Sequence, residues 1–390
     1  MEDKTGKSRF VLWLGGLRFN MAEASGALGD LGLFIPLTVA LVTVCGMDGG
    51  SILLFAGLFN LVTGLMFNQP VPVQPMKAIA AVAIAEGLAP GEIAAAGFLA
   101  GAIVLLLGLT GLIQKIEKLV PRPVVRGIQL GVGLKLAVKG VALIMATQWI
   151  AWDGRIIAII AAIMILAMSH REKFPSALIL FIAGFGLMFI NSPQVFHGLT
   201  MGWSWPGFIM PSSDQWVDGF FLGTLPQIPL TLLNSVIAIC ALSADLYPGK
   251  GIKTRSMALS VGAMNVFACL LGAAPMCHGS GGLAGQHRFG ARTGGSVVIL
   301  GAAKVIVGLF FGTATIAILA AYPVSILGAL LIFSGLELTL PARDCVKRNA
   351  FLTATATACG ILAANTAVGF ILGLITALFI QQKRTIIHPD

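Results

Sequence analysis

The chain alternates between long apolar runs and short polar stretches along most of its length. A helix of about 20 apolar residues is long enough to cross a lipid bilayer. The apolar runs define fourteen candidate segments, at 26–46, 50–68, 70–88, 92–113, 121–146, 155–169, 174–190, 218–245, 255–273, 274–290, 294–318, 322–340, 348–363 and 365–382. This pattern predicts an all-α polytopic membrane protein.

The segments form two groups of seven, and short sequences recur in the same order in both groups. The recurring pairs are Ile35–Thr38 with Ile228–Thr231, Pro75–Met76 with Pro275–Met276, Pro123–Val124 with Pro323–Val324, and Gly133–Leu136 with Gly335–Leu338. Because seven is odd, the second group enters the membrane from the opposite side, which predicts an inverted repeat. The expected organisation is a lead-in at 1–25, a first repeat at 26–190, a connection at 191–217, a second repeat at 218–382 and a tail at 383–390.

Charge gives the expected orientation of these segments. Most of the 25 Lys and Arg residues lie in the termini and in every second loop, and basic loops face the cytosol. Trp149, Trp152, Trp203, Trp205 and Trp216 cluster in or near the other loops, as in an interfacial aromatic belt. We therefore expect both termini in the cytosol, the 191–217 connection outside, and the chain in the cell membrane.

Composition narrows the class of protein further. With 57% hydrophobic and only 11% charged residues, the chain does not resemble a soluble protein. The net charge of +9 lies in short loops and does not indicate nucleic acid binding. Six cysteines show no CxxC pairing, which favours packing roles over disulfides or metal binding. We expect no cofactor, no metal, and no soluble domain after residue 382.

Segment three is interrupted by three prolines, Pro70, Pro72 and Pro75, which do not fit a helix interior. They predict an extended stretch followed by a half-helix from Met76 to about Glu86. Lys77 then lies in the first turn at membrane depth, where an ionisable residue indicates function. The alternative is that Lys77 reaches the interface or pairs with Asp30.

Segment ten is also interrupted, and it is rich in glycine, hydroxyl and imidazole groups. A half-helix that begins near Gly279 would direct free N–H groups and a positive dipole end into a cavity. The candidate ligands for an oxyanion are therefore Gln74, Met76 and Lys77 from segment three, with His278, Gly279, Ser280, Gly281 and Gly282 from segment ten. The alternative for the glycines is a packing seam between helices.

Segments one and eight should flank the two half-helices. They offer Thr38 and, in segment eight, Gln227, Thr231 and Asn234. Donors with no carboxylate opposite them suit a small anion, although these side chains also suit hydrogen bonds between helices.

The remaining intramembrane charges allow two interpretations each. Asp30 either carries a coupling proton or holds Lys77 or Arg288 in place by pairing. Lys135 and Glu337 occupy matching positions in the two repeats and are candidates for a salt bridge. Arg288, at the end of segment ten, also fits the excess of cations on the cytosolic side.

Three long motifs resemble those of the molybdate transporter family, which is related to the sulfate permeases. They are Gly26–Leu37, Pro72–Ala80, and Cys277–Gly279 continuing to Gly290–Arg292. The resemblance implies secondary active uptake of molybdate and a seven-plus-seven fold shared with sulfate and nucleobase permeases. In that fold, segments one to four and eight to eleven form a core, and the others form a gate. It also implies the absence of the STAS domain that sulfate permeases usually carry.

Other functions remain open at this point. Sulfate is the main alternative substrate because it is also a tetrahedral dianion, tungstate is a further candidate, and a homodimer is a possible assembly. A nucleobase permease should carry a carboxylate on segment eight, where this chain has Asn234. An anion channel would lack alternating access. An enzyme is disfavoured because Cys277 and His278 have no third partner at ligand spacing.

Overall fold

The computed structural model describes residues 16–28, 31–113, 121–169, 176–197 and 205–387. The first half of the chain contains α1 (Met21–Ala27), α2 (Leu31–Thr43), α3 (Gly49–Phe67), β1 (Val73–Pro75), α4 (Lys77–Glu86), α5 (Pro90–Thr110), α6 (Arg122–Met145), α7 (Arg155–Ser169), α8 (Ser176–Asn191) and α9 (Gln194–His197).

The second half contains α10 (Ser213–Leu246), α11 (Thr254–Ala268), β2 (Met276–His278), α12 (Ser280–Arg288), α13 (Gly295–Ala320), α14 (Val324–Thr339), α15 (Arg348–Ala363) and α16 (Thr366–Ile387). Short 3-10 turns extend α11 to Leu271 and α14 to Asp344. Most helices thus begin and end within a few residues of the apolar segments read from the sequence, whereas α4 and α12 occupy only the second part of segments three and ten.

Six helical stretches among the described residues are long and apolar enough to cross a membrane by length and composition. They are Gly49–Phe67, Pro90–Thr110, Arg122–Met145, Ser213–Leu246, Thr254–Leu271 and Gly295–Gly312. Several shorter apolar helices accompany them. Large apolar side chains such as Leu106, Val138, Ile163 and Phe379 are exposed on the helices, as expected for a surface in contact with lipid.

The all-α prediction needs one correction. Strands β1 and β2 form a two-stranded antiparallel sheet, with Val73 opposite His278 and Pro75 opposite Met276. Each strand lies directly before a short helix, at the two places where proline or glycine interrupts the apolar pattern. Proline restricts the chain to extended backbone there, because it lacks an N–H group and clashes inside a helix.

Long helices from opposite halves of the chain pack in pairs. Helix α3 packs on α13, α5 packs on α11, and α6 packs on α14. In the predicted repeat, α3 corresponds to α11, α13 corresponds to α5, and α6 corresponds to α14. The α3–α13 contact therefore corresponds to the α5–α11 contact, and the α6–α14 contact corresponds to itself. At the α6–α14 contact, a Cβ added to Gly133 would lie 2.5 Å from the Gly335 carbonyl oxygen, and a Cβ added to Gly335 would lie equally close to that of Gly133. Only glycine allows this approach of the two backbones.

Helix α10 is not a regular α-helix. Two stretches, Gly219–Thr224 and Thr231–Ala238, form wider π-helical turns around a central α-helical part that contains Pro226 and Pro229. Proline removes backbone N–H donors from the helix, and wide turns of this kind occur frequently at functional sites. The Thr231–Ala238 turns pack on β2 and α12.

The strand pair lies in the interior of the protein. Val73, Met76, Ile79 and Leu283 are fully buried and belong to one continuous apolar core. Polar groups at this place are therefore shielded from the lipid and the surrounding water.

Candidate substrate site

The sheet fixes where the two short helices begin. The Met76 N–H group donates to the Pro275 carbonyl oxygen at 2.7 Å, just beyond the paired strand residues. Because the strands are antiparallel, α4 leaves the sheet at the end where β2 begins, and α12 leaves it at the opposite end. Met76 was expected among the substrate ligands, but its N–H group is used by the sheet and its side chain is fully buried.

The N-terminal end of α4 is capped by a side chain from α10. Gln227 Oε1 accepts hydrogen bonds from the N–H groups of Ala78 at 2.9 Å and Ile79 at 3.2 Å. These two N–H groups are therefore not free. A buried acceptor satisfies them, as the first turn of a helix requires, and Gln227 is only 2% exposed.

The N-terminal end of α12 differs. Gly279 precedes the helix in extended conformation and provides no side-chain cap. No atom lies within 4 Å of a Cβ added to Gly281, and this residue is exposed, whereas Gly282 is buried and Ser280 is half-buried. Open space thus adjoins the first turn of α12.

Gln74 lies against Gly279. A Cβ added to Gly279 would lie 2.2 Å from Gln74 Oε1, so that only glycine fits beside this carboxamide. Gln74 is buried and pairs with Cys277 in the sheet register. The structure therefore brings together Gln74, Gly279 and the open first turn of α12.

Lys77 is half-buried in the first turn of α4. Within the described part of the chain, no carboxylate oxygen lies within salt-bridge distance of its Nζ atom. Asp30, its expected partner, lies outside the described residues.

His278 is held by the protein through both ring nitrogens. Its Nδ1 atom lies 3.2 Å from the Pro72 carbonyl oxygen, and its Nε2 atom lies 2.9 Å from Ser260 Oγ. Because a carbonyl only accepts, Nδ1 carries the proton and Nε2 accepts from the hydroxyl. The imidazole is fully buried and connects the chain before β1 to α11, so both ring nitrogens have partners within the protein.

Thr231 and Asn234 lie in the π-helical turns of α10 that pack on β2 and α12. Thr231 is fully buried, and its hydroxyl accepts a hydrogen bond from Gln227 Nε2 at 2.9 Å. Asn234 is half-buried. On the opposite flank, α2 packs on β1 and α4, and its Thr38 hydroxyl is buried with no partner among the described residues.

Lys135, which was expected to pair with Glu337 in the other repeat, forms an ion pair with Glu86. Lys135 Nζ bonds to Glu86 Oε1, at the last residue of α4, and approaches the Ala364 carbonyl oxygen at 3.4 Å. Glu337 was the expected partner of Lys135, but its side chain and that of Arg288 lie outside the described residues.

Three further buried polar residues were not identified from the sequence. Asn60 accepts from the Val73 N–H group at 2.8 Å, and Asn265 bonds to both the N–H and the carbonyl of Met276 at 2.7 and 2.6 Å. Lys304, in α13, is 5% exposed, with its Nζ atom 3.4 Å from the ring centroid of Phe34. A lone polar residue inside an apolar segment indicates a functional or structural role, and each of these three residues is of this kind.

Comparison with known proteins decides the family. A family model described as "Molybdate transporter of MFS superfamily" matches residues 22–136 and 219–338. "Molybdate transporter 1" of Arabidopsis thaliana is 40% identical over 398 residues, which cover 91% of this chain and 87% of that protein. "Molybdate transporter 1" of Chlamydomonas reinhardtii is 33% identical over 468 residues, covering 91% and 90%.

The chain belongs to the molybdate transporter family. The resemblance seen in the sequence motifs is thereby confirmed. Because these relatives are named as transporters, this is a family of multi-pass membrane transporters and not of enzymes.

Solved structures show the fold that this member of the molybdate transporter family adopts. The transmembrane domain of the cyanobacterial bicarbonate transporter BicA superposes with a TM-score of 0.65 at 16% identity, covering 93% of this chain and 98% of that chain. The murine anion transporter Slc26a9 superposes with a TM-score of 0.71 at 13% identity, covering 98% and 74%.

Proposed function

We propose that the protein is a secondary active transporter that moves the molybdate dianion across a membrane by alternating access. Membership of the molybdate transporter family supports the substrate. The likeness in fold to an anion transporter and a bicarbonate transporter supports anion transport.

The observation that carries the proposed binding site is the uncapped N-terminal end of α12 beside open space at Gly281. An oxyanion there meets the N–H groups of Ser280, Gly281 and Gly282 and the positive end of the helix dipole. This place adjoins the buried strand pair and the wide turns of α10.

Side chains complete the proposed site. Lys77 supplies one full positive charge, and Gln74, Thr231 and Asn234 supply neutral groups that donate hydrogen bonds. A helix end contributes about half a positive charge, so Lys77 is needed to bring the site close to neutrality with a dianion. Gln74 Oε1 also lies so close to Gly279 that no side chain fits at that position.

The proposed transport cycle uses the pairing of the two halves. In our proposal, strand and half-helix together form discontinuous segments three and ten of a fourteen-segment inverted repeat. The exchange symmetry of the helix pairs α3–α13 and α5–α11 supports this arrangement. Segments one to four and eight to eleven form the core that carries the substrate, and the other segments form the gate.

Uptake of labelled molybdate into proteoliposomes tests the function. We expect saturable uptake that tungstate, which is similar in size, competes strongly and sulfate competes weakly. Charge is equal among the three, so only the size of the site and the placement of donors discriminate. Stronger competition by sulfate than by tungstate would establish the alternative, a sulfate transporter, and linear uptake without saturation would indicate a channel.

A further inference from the structure

We propose that Gln227 is a positioning residue for the oxyanion, which closes the end of α4 and makes the Thr231 hydroxyl a donor to the substrate. This inference rests on the proposed function, because it assigns a role within the same site. Three hydrogen bonds of one buried carboxamide carry the argument.

The carboxamide oxygen of Gln227 closes α4 to the anion. It accepts from the N–H groups of Ala78 and Ile79, and a carbonyl oxygen has two lone pairs for such bonds. An anion therefore finds both groups already satisfied. The two half-helices are consequently unequal, and the substrate is held at the start of α12.

The same bonds fix the orientation of the amide. Backbone N–H groups only donate, so the Gln227 oxygen must face α4 and its NH2 group must face the other way. That NH2 group donates to Thr231 Oγ1 at 2.9 Å. The hydrogen-bond partners of Gln227 thus determine which end of its amide is oxygen and which is nitrogen.

The hydrogen bond from Gln227 determines how the Thr231 hydroxyl can act towards a substrate. An oxygen that accepts from an N–H group still carries its own proton and can donate it. Thr231 is fully buried in the turns of α10 that pack on β2 and α12. A hydroxyl that donates there stabilises an oxyanion, whereas a hydroxyl with its lone pairs turned to the site would repel one.

Glutamate cannot replace glutamine in this arrangement. A carboxylate at position 227 would still accept from Ala78 and Ile79, and the end of α4 would remain capped. It has no N–H group to donate to Thr231 and would instead accept a hydrogen bond from the Thr231 hydroxyl. The substitution withdraws the donor from the site and adds a negative charge beside it.

A double-mutant cycle tests whether Gln227 acts on the substrate through Thr231. Molybdate binding to each purified variant is measured by calorimetric titration. We expect Thr231→Val to weaken binding ~10-fold or more, the loss typical of a hydrogen bond to a charged group, while Thr231→Ser remains within ~3-fold. Gln227→Glu should also weaken binding ~10-fold or more, and Gln227→Glu/Thr231→Val should bind no more weakly than Gln227→Glu alone.

Gln215→Glu is the matched control, since Gln215 also caps a helix start through its side-chain oxygen, accepting from the Ser212 N–H group at 3.0 Å. It lies at the beginning of α10, away from the proposed site, and should leave the affinity unchanged. The melting temperature of each variant is measured in parallel.

Three results would overturn the role of Gln227. These are additive losses in the double variant, equal losses in Thr231→Ser and Thr231→Val, or a Gln227→Glu variant that melts lower yet binds normally. If the wild-type protein binds sulfate and not molybdate, the proposed function is overturned, and the same cycle with sulfate still decides the role of Gln227. Binding of neither anion overturns both proposals.

Discussion

Lys135 Nζ donates a hydrogen bond to Glu86 Oε1, and this ion pair joins the middle of α6 to the last residue of α4. In the proposed transport cycle, α4 belongs to the core and α6 belongs to the gate. The pair therefore bridges two bodies that must move relative to each other. An interaction of this kind stabilises one state of the cycle at the expense of the other.

Charge reversal identifies the functional partner of Lys135. Lys135→Glu and Glu86→Lys should each reduce molybdate uptake severalfold, because each places like charges together. The double reversal should restore more uptake than either single change. The double reversal of Lys135 and Glu337 is the parallel experiment, and rescue by that pair alone would assign Glu337 as the partner.

Disruption of Arg126 and Asp344 provides the control for this experiment. Their ion pair, at 2.8 Å, also involves α6, but it is more exposed and joins two parts of the proposed gate. Exposed pairs contribute about 0 to 1 kcal/mol. Asp344→Asn should therefore leave uptake nearly unchanged.

Lys77 should determine affinity for the anion. Lys77→Ala should weaken molybdate binding by ~10-fold or more, as expected for the loss of a charged hydrogen-bond donor. Lys77→Arg should also weaken it, because a planar guanidinium and a compact ammonium occupy different volumes. Calorimetric titration measures both, with Lys253→Ala at an exposed position as control. Wild-type affinity in Lys77→Ala would contradict the charge role.

Gly281 tests the open end of α12. Gly281→Val fills the space beside the helix start without changing any charge, and we expect it to abolish molybdate binding. Gly186→Val is the matched control, because Gly186 is also exposed in a helix and has no atom within 4 Å of an added Cβ. Both variants should elute as intact protein in size-exclusion chromatography. Normal binding by Gly281→Val would exclude this end of α12 as the site.

Asn265 should determine stability, because it bonds to both backbone groups of Met276 in the interior. Asn265→Ala leaves a buried N–H and a buried carbonyl unsatisfied, at about 1–3 kcal/mol each. Asn365→Ala removes an exposed cap at the start of α16 and should cost about 1 kcal/mol. Melting temperatures in detergent compare the two, and an equal decrease would show that the buried bonds of Asn265 contribute no more stability than an exposed cap.

The orientation in the membrane is tested by cysteine labelling in intact cells on a background without native cysteines. A cysteine at position 205 should react with an impermeant reagent, because Trp205 is exposed in the predicted outer connection. A cysteine at position 383 should react only after permeabilisation. The reverse pattern would contradict a cytosolic location of both termini.

The sequence was sufficient to locate most helices, because proline and glycine mark helix boundaries within apolar runs. The start of α4 was predicted at Met76, one residue before the observed start at Lys77. It did not predict the strand pair, because three-residue strands such as Val73–Pro75 carry no periodic signal and their pairing is a tertiary contact. The hydrogen-bond partners of His278 and Gln227 could not be predicted from the sequence either, because Pro72 and Ala78 are distant in sequence from these side chains. Lys304 was detectable as a lone cation in an apolar segment.

The pairing of β1 with β2 also constrains the order of events during synthesis. Residues 73–75 emerge from the ribosome about 200 residues before residues 276–278. Until then, Asn60 can hold Val73, but the Met76 N–H group has no Pro275 carbonyl to receive it. The first half of the chain, once inserted into the membrane, therefore lacks the partner strand of β1 until the second half follows. A truncated chain that ends before residue 275 should be recognised as unfinished and degraded, even if all its apolar helices have entered the bilayer.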